Sequence, residues 1–330
     1  MSQQARTPLT TLQPARNQRA AIVCCLLAAT LCLTGTGCRL WPAPDDPFGP
    51  SAKCHVNPAM EPHLLVAQVN ANTEKIHGWK STKATISGSH MLLKVKGTTV
   101  AVDGQRNFRL LAKHPLGARQ VADLGSNDDH FWFWIEDPKH PDSDVIMCNH
   151  EDVAHAAHTM PIPFEPDWLM EVMGVRPIVL DNETTFVERE GYLEIYNKRI
   201  SPSGQPVQKR TTINRCHANV VEHALLDAGG HVIAQANLSE YLSDPNSNAY
   251  LPGRIELIWP QSQMQLIIKL DQIEFNPATS PAQFQVPQGM PVRQIPAQGM
   301  VQRSNLQENL YEAPSAQGEY EPLESTPYEE

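Results

Sequence analysis

The sequence predicts a mainly β fold with inserted helices. Three observations carry that expectation: long stretches in which apolar and polar residues alternate with period two, Gly, Asn and Asp at hairpin spacing between them, and short interruptions with helical period. The turns are of hairpin length, so the expected pairing is antiparallel.

An amphipathic helix opens the domain in EPHLLVAQVNANTEKIHGW, where Leu65, Val69, Asn72 and Ile76 fall at helical spacing ahead of Gly78. Strands are expected next in KATISG, HMLLKVKG, TTVAVDG and RNFRLLAKH, which are short, rich in β-branched residues and bounded by Gly, Ser or Asp. Two more, ARQVADLGS and HFWFWIED, flank a turn at Asn127-Asp128-Asp129. Helical material then interrupts at HEDVAHAAH and, after Pro161 and Pro163, at FEPDWLMEVMGV, whose Trp168, Leu169, Val172 and Met173 form an apolar face. Strands resume in PIVL, TTFVERE, YLEIYNK and VQKRTTINRC. A hairpin around Ala228-Gly229-Gly230 joins ANVVEHALLD to HVIAQANLSEY. The last strands are LPGRIELIWP, MQLIIKLDQIEF and AQFQVPQGM. A run of this kind must close or be covered, because exposed edges and faces aggregate.

The ends differ from this body. Arg6, Arg16 and Arg19 precede the apolar run AAIVCCLLAATLCLTGTG, which finishes in small residues before Cys38, the order of a secretory signal. Its apolar core of about 15 residues is short for a bilayer-spanning helix, which needs about 20. Residues 1–37 are therefore expected to be a signal peptide and 38–58, rich in proline, a tether. The body spans 59–294, and 295–330 forms a Gln-, Pro- and Glu-rich tail too polar to offset its ordering entropy. Tyr311, Tyr320 and Tyr328 give that acidic tail a possible protein-binding strip; a merely solvated tail is the plainer expectation.

A net charge of -10 and a pI near 5.7 disfavour general nucleic-acid binding, which needs a basic face to displace counterions. Of seven cysteines, Cys24, Cys25 and Cys32 lie in the signal and Cys38 at its end. Cys54, Cys148 and Cys216 remain, and an oxidising compartment permits one bridge among them, with the pair left open.

Gly35-Thr36-Gly37-Cys38 resembles a bacterial lipobox, in which Cys38 is diacylated and becomes the mature amino terminus; Gly35 stands where Leu is usual. Two or more acyl chains hold a soluble domain at a bilayer where one binds marginally. An ordinary signal peptide, leaving Cys38 a free thiol, is the alternative. The body also resembles the LolA/LolB-like lipoprotein-localisation family, which includes RseB-type periplasmic sensors. The residues that carry this are the opening helix with Asn70 and Asn72 and the strand after Trp79, the ADLGSNDDHFWFWIED hairpin, and the ending with Asn276-Pro277 and Phe284-x-x-Pro287-x-Gly289. The resemblance implies an unclosed half β-barrel, a single curved antiparallel sheet covered by helices. It further implies a hydrophobic hollow for acyl chains of lipoproteins or other lipids, serving lipoprotein sorting or envelope maintenance. The expected location is the cell envelope, lipid-anchored at the periplasmic face of the outer or inner membrane. A ligand-sensing or scaffold protein of the same fold is the first alternative and a metal-dependent enzyme the second.

Candidates to line the hollow are Leu92, Val95, Val100, Phe108, Leu110, Phe131, Phe133, Trp168, Leu169, Leu193, Ile195, Ile255, Leu257, Ile267 and Leu270; taken singly, each is also an ordinary core residue. Cys148, His150, His155 and His158 pair ligand types that suit zinc, with Glu151 or Asp152 able to orient one, but their spacing matches no standard zinc motif. No nucleophile elbow, phosphate loop or dinucleotide fingerprint is present, so no cofactor and no catalytic residue is expected.

Overall fold

The computed structural model describes residues 47–49, 52–89, 94–104, 106–114, 119–136, 143–153, 166–201 and 204–295. The expected signal peptide, Cys38, Leu92, His155, His158 and the tail beyond residue 295 lie outside them.

A helix, α1 (Pro62–Thr73), leads into a meander of six strands: β1 (Gly78–Gly88), β2 (Val95–Asp103), β3 (Asn107–Lys113), β4 (Gln120–Ser126), β5 (His130–Ile135) and β6 (Val145–Asn149). A 3-10 turn at His150–Asp152 and the helix α2 (Pro166–Val172) follow. A second meander runs through β7 (Thr185–Arg189), β8 (Tyr192–Ile200), β9 (Pro206–Asn214), β10 (Asn219–Leu226), β11 (Val232–Ser243), β12 (Tyr250–Trp259) and β13 (Met264–Leu270). Two short strands close the chain, β14 (Glu274–Phe275) and β15 (Val292–Gln294).

All fifteen described strands join one sheet in the order β15-β6-β5-β4-β3-β2-β1-β13-β12-β11-β10-β9-β8-β7, with β14 also on β1. β7 and β15 are the two ends of that order and do not meet, so the sheet is curved but unclosed. The first meander builds outward from β1 to β6. The second starts at the far edge, at β7, and works back until β13 pairs with β1 (Ile86 opposite Ile268). The connection from β6 to β7 must therefore travel from one edge of the sheet to the other. α2 lies in that connection and packs on one face of the sheet.

Side-chain alternation separates the two faces. Ile86, Val100, Leu110, Leu238, Ile255, Leu257, Ile268 and Leu270 point to the face that α2 covers, where Trp168, Leu169, Met170, Val172 and Met173 pack among them. A second cluster sits under α1, where Leu65, Val66 and Val69 meet Leu193, Ile195 and Ile213. Burial of these side chains, at about 1.5–3 kcal/mol each, is the main source of stability. The opposite face of β4 to β6 is closed by the chain end: Trp132 lies across Gly125, where any Cβ would be 2.1 Å from the indole, and donates to the buried Asp123 carboxylate at 3.1 Å. Arg109 holds the other side of that carboxylate at 2.7 Å and reaches Gln283 O at 3.0 Å.

Several elements differ from the sequence expectation. HMLLKVKG and TTVAVDG are not two strands: β2 runs through Gly97, whose φ of 71° makes it a bulge, with Thr98 opposite Ala84 and Lys96 opposite Thr85. α1 ends at Thr73, so Ile76 is buried from the following turn, and Gly78 begins a strand instead of stopping a helix. PIVL forms no strand; Ile178 is fixed by Asn70 of α1, which accepts from its N and donates to its O. AQFQVPQGM is a 3-10 turn at Pro281–Phe284 and a loop. The VIMCN strand, β6, is additional to the expected set.

Candidate functional site

The covered face of the sheet is where the expected hollow would lie. Val95, Val100, Phe108, Leu110, Trp168, Leu169, Ile255, Leu257 and Leu270 do come together there, in one continuous cluster. Leu193 and Ile195 join the separate cluster beneath α1, and Phe131 joins a third with Cys148 and Val153. Phe133, half-buried, belongs to none of these. Ile267 points the other way, because its neighbours Ile268 and Leu270 are odd steps from it and take the inner face. Most of the described candidates thus pack into two apolar clusters beneath the helices, while Phe131, Phe133 and Ile267 lie elsewhere.

Between the two apolar clusters the inner face turns polar. Alternation along β8 and β9 places Asn197, Arg199, Lys209 and Thr211 inward, with Asn197 directly opposite Lys209, and His223 of β10 opposite Thr211. α2 answers with Glu171. Its carboxylate accepts from Lys209 Nζ at 2.9 Å and forms a close charge-assisted contact with Arg199. Burial pushes the Glu171 carboxyl up, but Lys209 and Arg199 outweigh it and hold the group below the usual carboxylate range. Burial likewise lowers Lys209, against the raising effect of Glu171. His223 is fully enclosed and hydrogen-bonds Thr211 Oγ1 through Nδ1 at 3.1 Å; burial pushes its pKa down to about 4, so the imidazole is neutral at ordinary pH. This ionic tie is what fastens α2 to the β8–β10 end of the sheet. Breaking such a pair by removing one partner costs about 3–5 kcal/mol, because the other charge stays buried.

Beside the tie lies a cavity of about 50 Å³, lined by Val69, Val172, Leu238, Tyr241, Leu251, Glu171, Asn219 and His223 among others. Its walls come from α1, α2 and β10 to β12. Asn72 joins α1 to this wall by pairing with the backbone of Tyr250, accepting from N and donating to O, both at 2.9 Å. The segment ahead of α1 packs against Tyr241 and Tyr250 of this wall. Phe48 stacks on His217 and packs edge-on against Tyr250 and Tyr241, while a Cys54–Cys216 disulfide and Arg215, which donates to Pro58 O and Met60 O at 2.7 Å, hold the segment down. Residues from Cys54 onward, expected in the tether, are thus fastened to the folded body.

Of the four weak metal-ligand candidates, Cys148 and His150 are among the described residues. Cys148 is buried, its thiol raised to about 11 by burial and the nearby Asp152. His150 Nε2 lies 2.8 Å from Asn127 O and 3.3 Å from Ser126 Oγ, bracing the β4–β5 turn. Among the described residues no group of three or more His, Cys, Asp or Glu side chains is placed to hold a metal ion. In that turn Asn127 accepts from the backbone N of Asp129 and His130, both at 3.0 Å, a backbone role for the NDD sequence. Asn276 has a similar role: its side chain clasps His77 N at 2.7 Å and Lys75 O at 2.8 Å where α1 passes into β1.

Together these features define the class as an open, helix-covered β half-barrel. No family model matches the chain, and no curated protein sequence matches it. Among solved structures the chain is similar to a putative outer membrane lipoprotein-sorting protein domain from Vibrio parahaemolyticus, at 10% identity over 67% of this chain and 94% of that one, with a TM-score of 0.45. It is similar also to a DUF1329 family protein from Desulfovibrio piger (11% identity, 68% and 95% covered, TM-score 0.43). A third is a LolA superfamily protein from Nitrosomonas europaea (12% identity, 67% and 97% covered, TM-score 0.39).

Proposed function

We propose that this chain is an extracytoplasmic, membrane-anchored protein that binds acyl chains of lipoproteins or other lipids on the inner face of its sheet, without catalysis. The observation that carries the reading is the cover. A broad aliphatic face spanning β1 to β3 and β11 to β13 is shielded by α2, a helix of seven residues lying in the long edge-to-edge connection. Lifting α2 exposes both its own apolar side chains and the sheet beneath, and an acyl chain is a chemically equivalent replacement worth about 0.8 kcal/mol per buried CH₂. Export is supported by the signal-like amino terminus and by the Cys54–Cys216 bridge, which suits an oxidising compartment. The anchor is the lipid on Cys38.

The test is energy transfer from the buried Trp79 and Trp168 to a fluorescent fatty-acyl probe. Saturable uptake that vanishes on unfolding is the expected result; a probe that stays in water at all protein concentrations removes the lipid reading. One observation favours a scaffold as the second reading: β7 is an open sheet edge, and Phe186, Val179 and Leu180 around it are exposed.

A further inference from the structure

The cavity beside the ionic tie is mostly apolar, but polar side chains also line it. Asn219 lines it, the residue is 4% exposed, and its Oδ1 is buried with no hydrogen-bond partner among the described residues. An acceptor left unpaired in an apolar surround is destabilising, so the site favours a ligand that brings a donor. His223, also in the lining, is an uncharged imidazole with Nδ1 already engaged by Thr211. The charges in the wall are Glu171, whose two oxygens are taken by Arg199 and Lys209, and Arg176, which is paired with Asp167 at 3.0 Å. A charged head group of either sign would lose its hydration here without an unengaged counter-charge beside it, which is unfavourable.

We infer that this cavity is a head-group subsite selective for neutral acyl lipids whose head offers an O–H or N–H donor to Asn219 Oδ1, such as a monoacylglycerol or an N-acyl amide. About 50 Å³ accommodates the donor end of such a head, not an acyl chain. The chain runs from it over the aliphatic face when α2 moves, so the inference rests on the lipid-binding reading above and adds the chemistry of the head.

The experiment is displacement of the fluorescent acyl probe from the full chain by three ligands of one chain length: a monoacylglycerol, the free fatty acid at pH 8 and a lysophosphatidylglycerol. The monoacylglycerol is expected to displace the probe at least tenfold more tightly than either anion. In Asn219→Leu that preference should fall to within about twofold while probe uptake itself persists. Equal displacement by all three in the wild-type chain overturns the head-group inference, leaves acyl binding intact and assigns the polar atoms to buried water. Retention of the preference in Asn219→Leu overturns the role of Asn219. Absence of probe uptake in the wild-type chain removes both readings. Should Asn219→Leu fail to fold, the wild-type ligand series alone decides.

Discussion

His223 sits neutral inside the protein down to about pH 4, while in an unfolded chain its imidazole takes up a proton near pH 6.5. Between those values the unfolded state binds more protons, so stability falls as pH drops through the window, by on the order of 3 kcal/mol in all. The charged groups facing it are Glu171, Lys209 and Arg199. Glu171, whose carboxyl is held low in the fold, adds its own loss only as the pH falls below its ordinary value of 4.5. His223→Gln should therefore flatten the dependence of melting temperature on pH between about 6.5 and 4.5, and an unchanged slope would show that His223 is not the titrating group. None of this cluster was legible in the sequence. Glu171, Arg199, Lys209 and His223 are far apart along the chain, and in alternating strands a charged residue ordinarily marks the solvent face. The available signal was parity: Leu193 and Ile195 put Asn197 and Arg199 on the buried side of β8, and Ile213 does the same for Thr211 and Lys209 on β9.

At the scale of elements, the strands with strong alternation and a glycine or Asx turn at each end were readable, as were α2 and its apolar face. The failures have physical causes. Gly97 looks like a turn residue and is a bulge, because positive φ serves either purpose and only the pairing partner decides between them. Val145–Asn149 is short and half-buried, and its edge is completed by the distant β15, in parallel, which no local pattern announces. The choice of Cys216 as the partner of Cys54, with Cys148 left buried and free, follows from α1 crossing the β8–β10 end of the sheet and bringing the preceding segment to the β9–β10 turn. That bridge closes a loop across a sequence separation of 162 and pins the segment carrying Phe48. Replacing Cys54 and Cys216 with alanine is expected to cost about 2–5 kcal/mol. It should also raise hydrogen exchange in residues 52–60 and at the start of β10 while leaving β2 to β4 unchanged; uniform exchange across the sheet would contradict the local role given to the bridge.

For the whole molecule, the fold follows from one topological fact. Two meanders that start at opposite places and meet at β1 and β13 leave a connection that must cross the sheet, and that connection supplies the cover. On the proposed reading, an open sheet covered in this way exchanges its interior packing for a ligand without breaking a strand pair, which a closed barrel does not offer. The resemblance to lipoprotein-localisation proteins anticipated the unclosed sheet and its covering helices. It did not anticipate that the cover would be tied down by a buried ion pair, or that the candidates would be divided among separate clusters. The most direct measurement of the central claim is native mass spectrometry of the Cys38→Ser chain, exported to a bacterial periplasm and purified without detergent. The account predicts a bound lipid mass that is released on denaturation; a chain that emerges empty, and stays empty after incubation with acyl lipids, would contradict it.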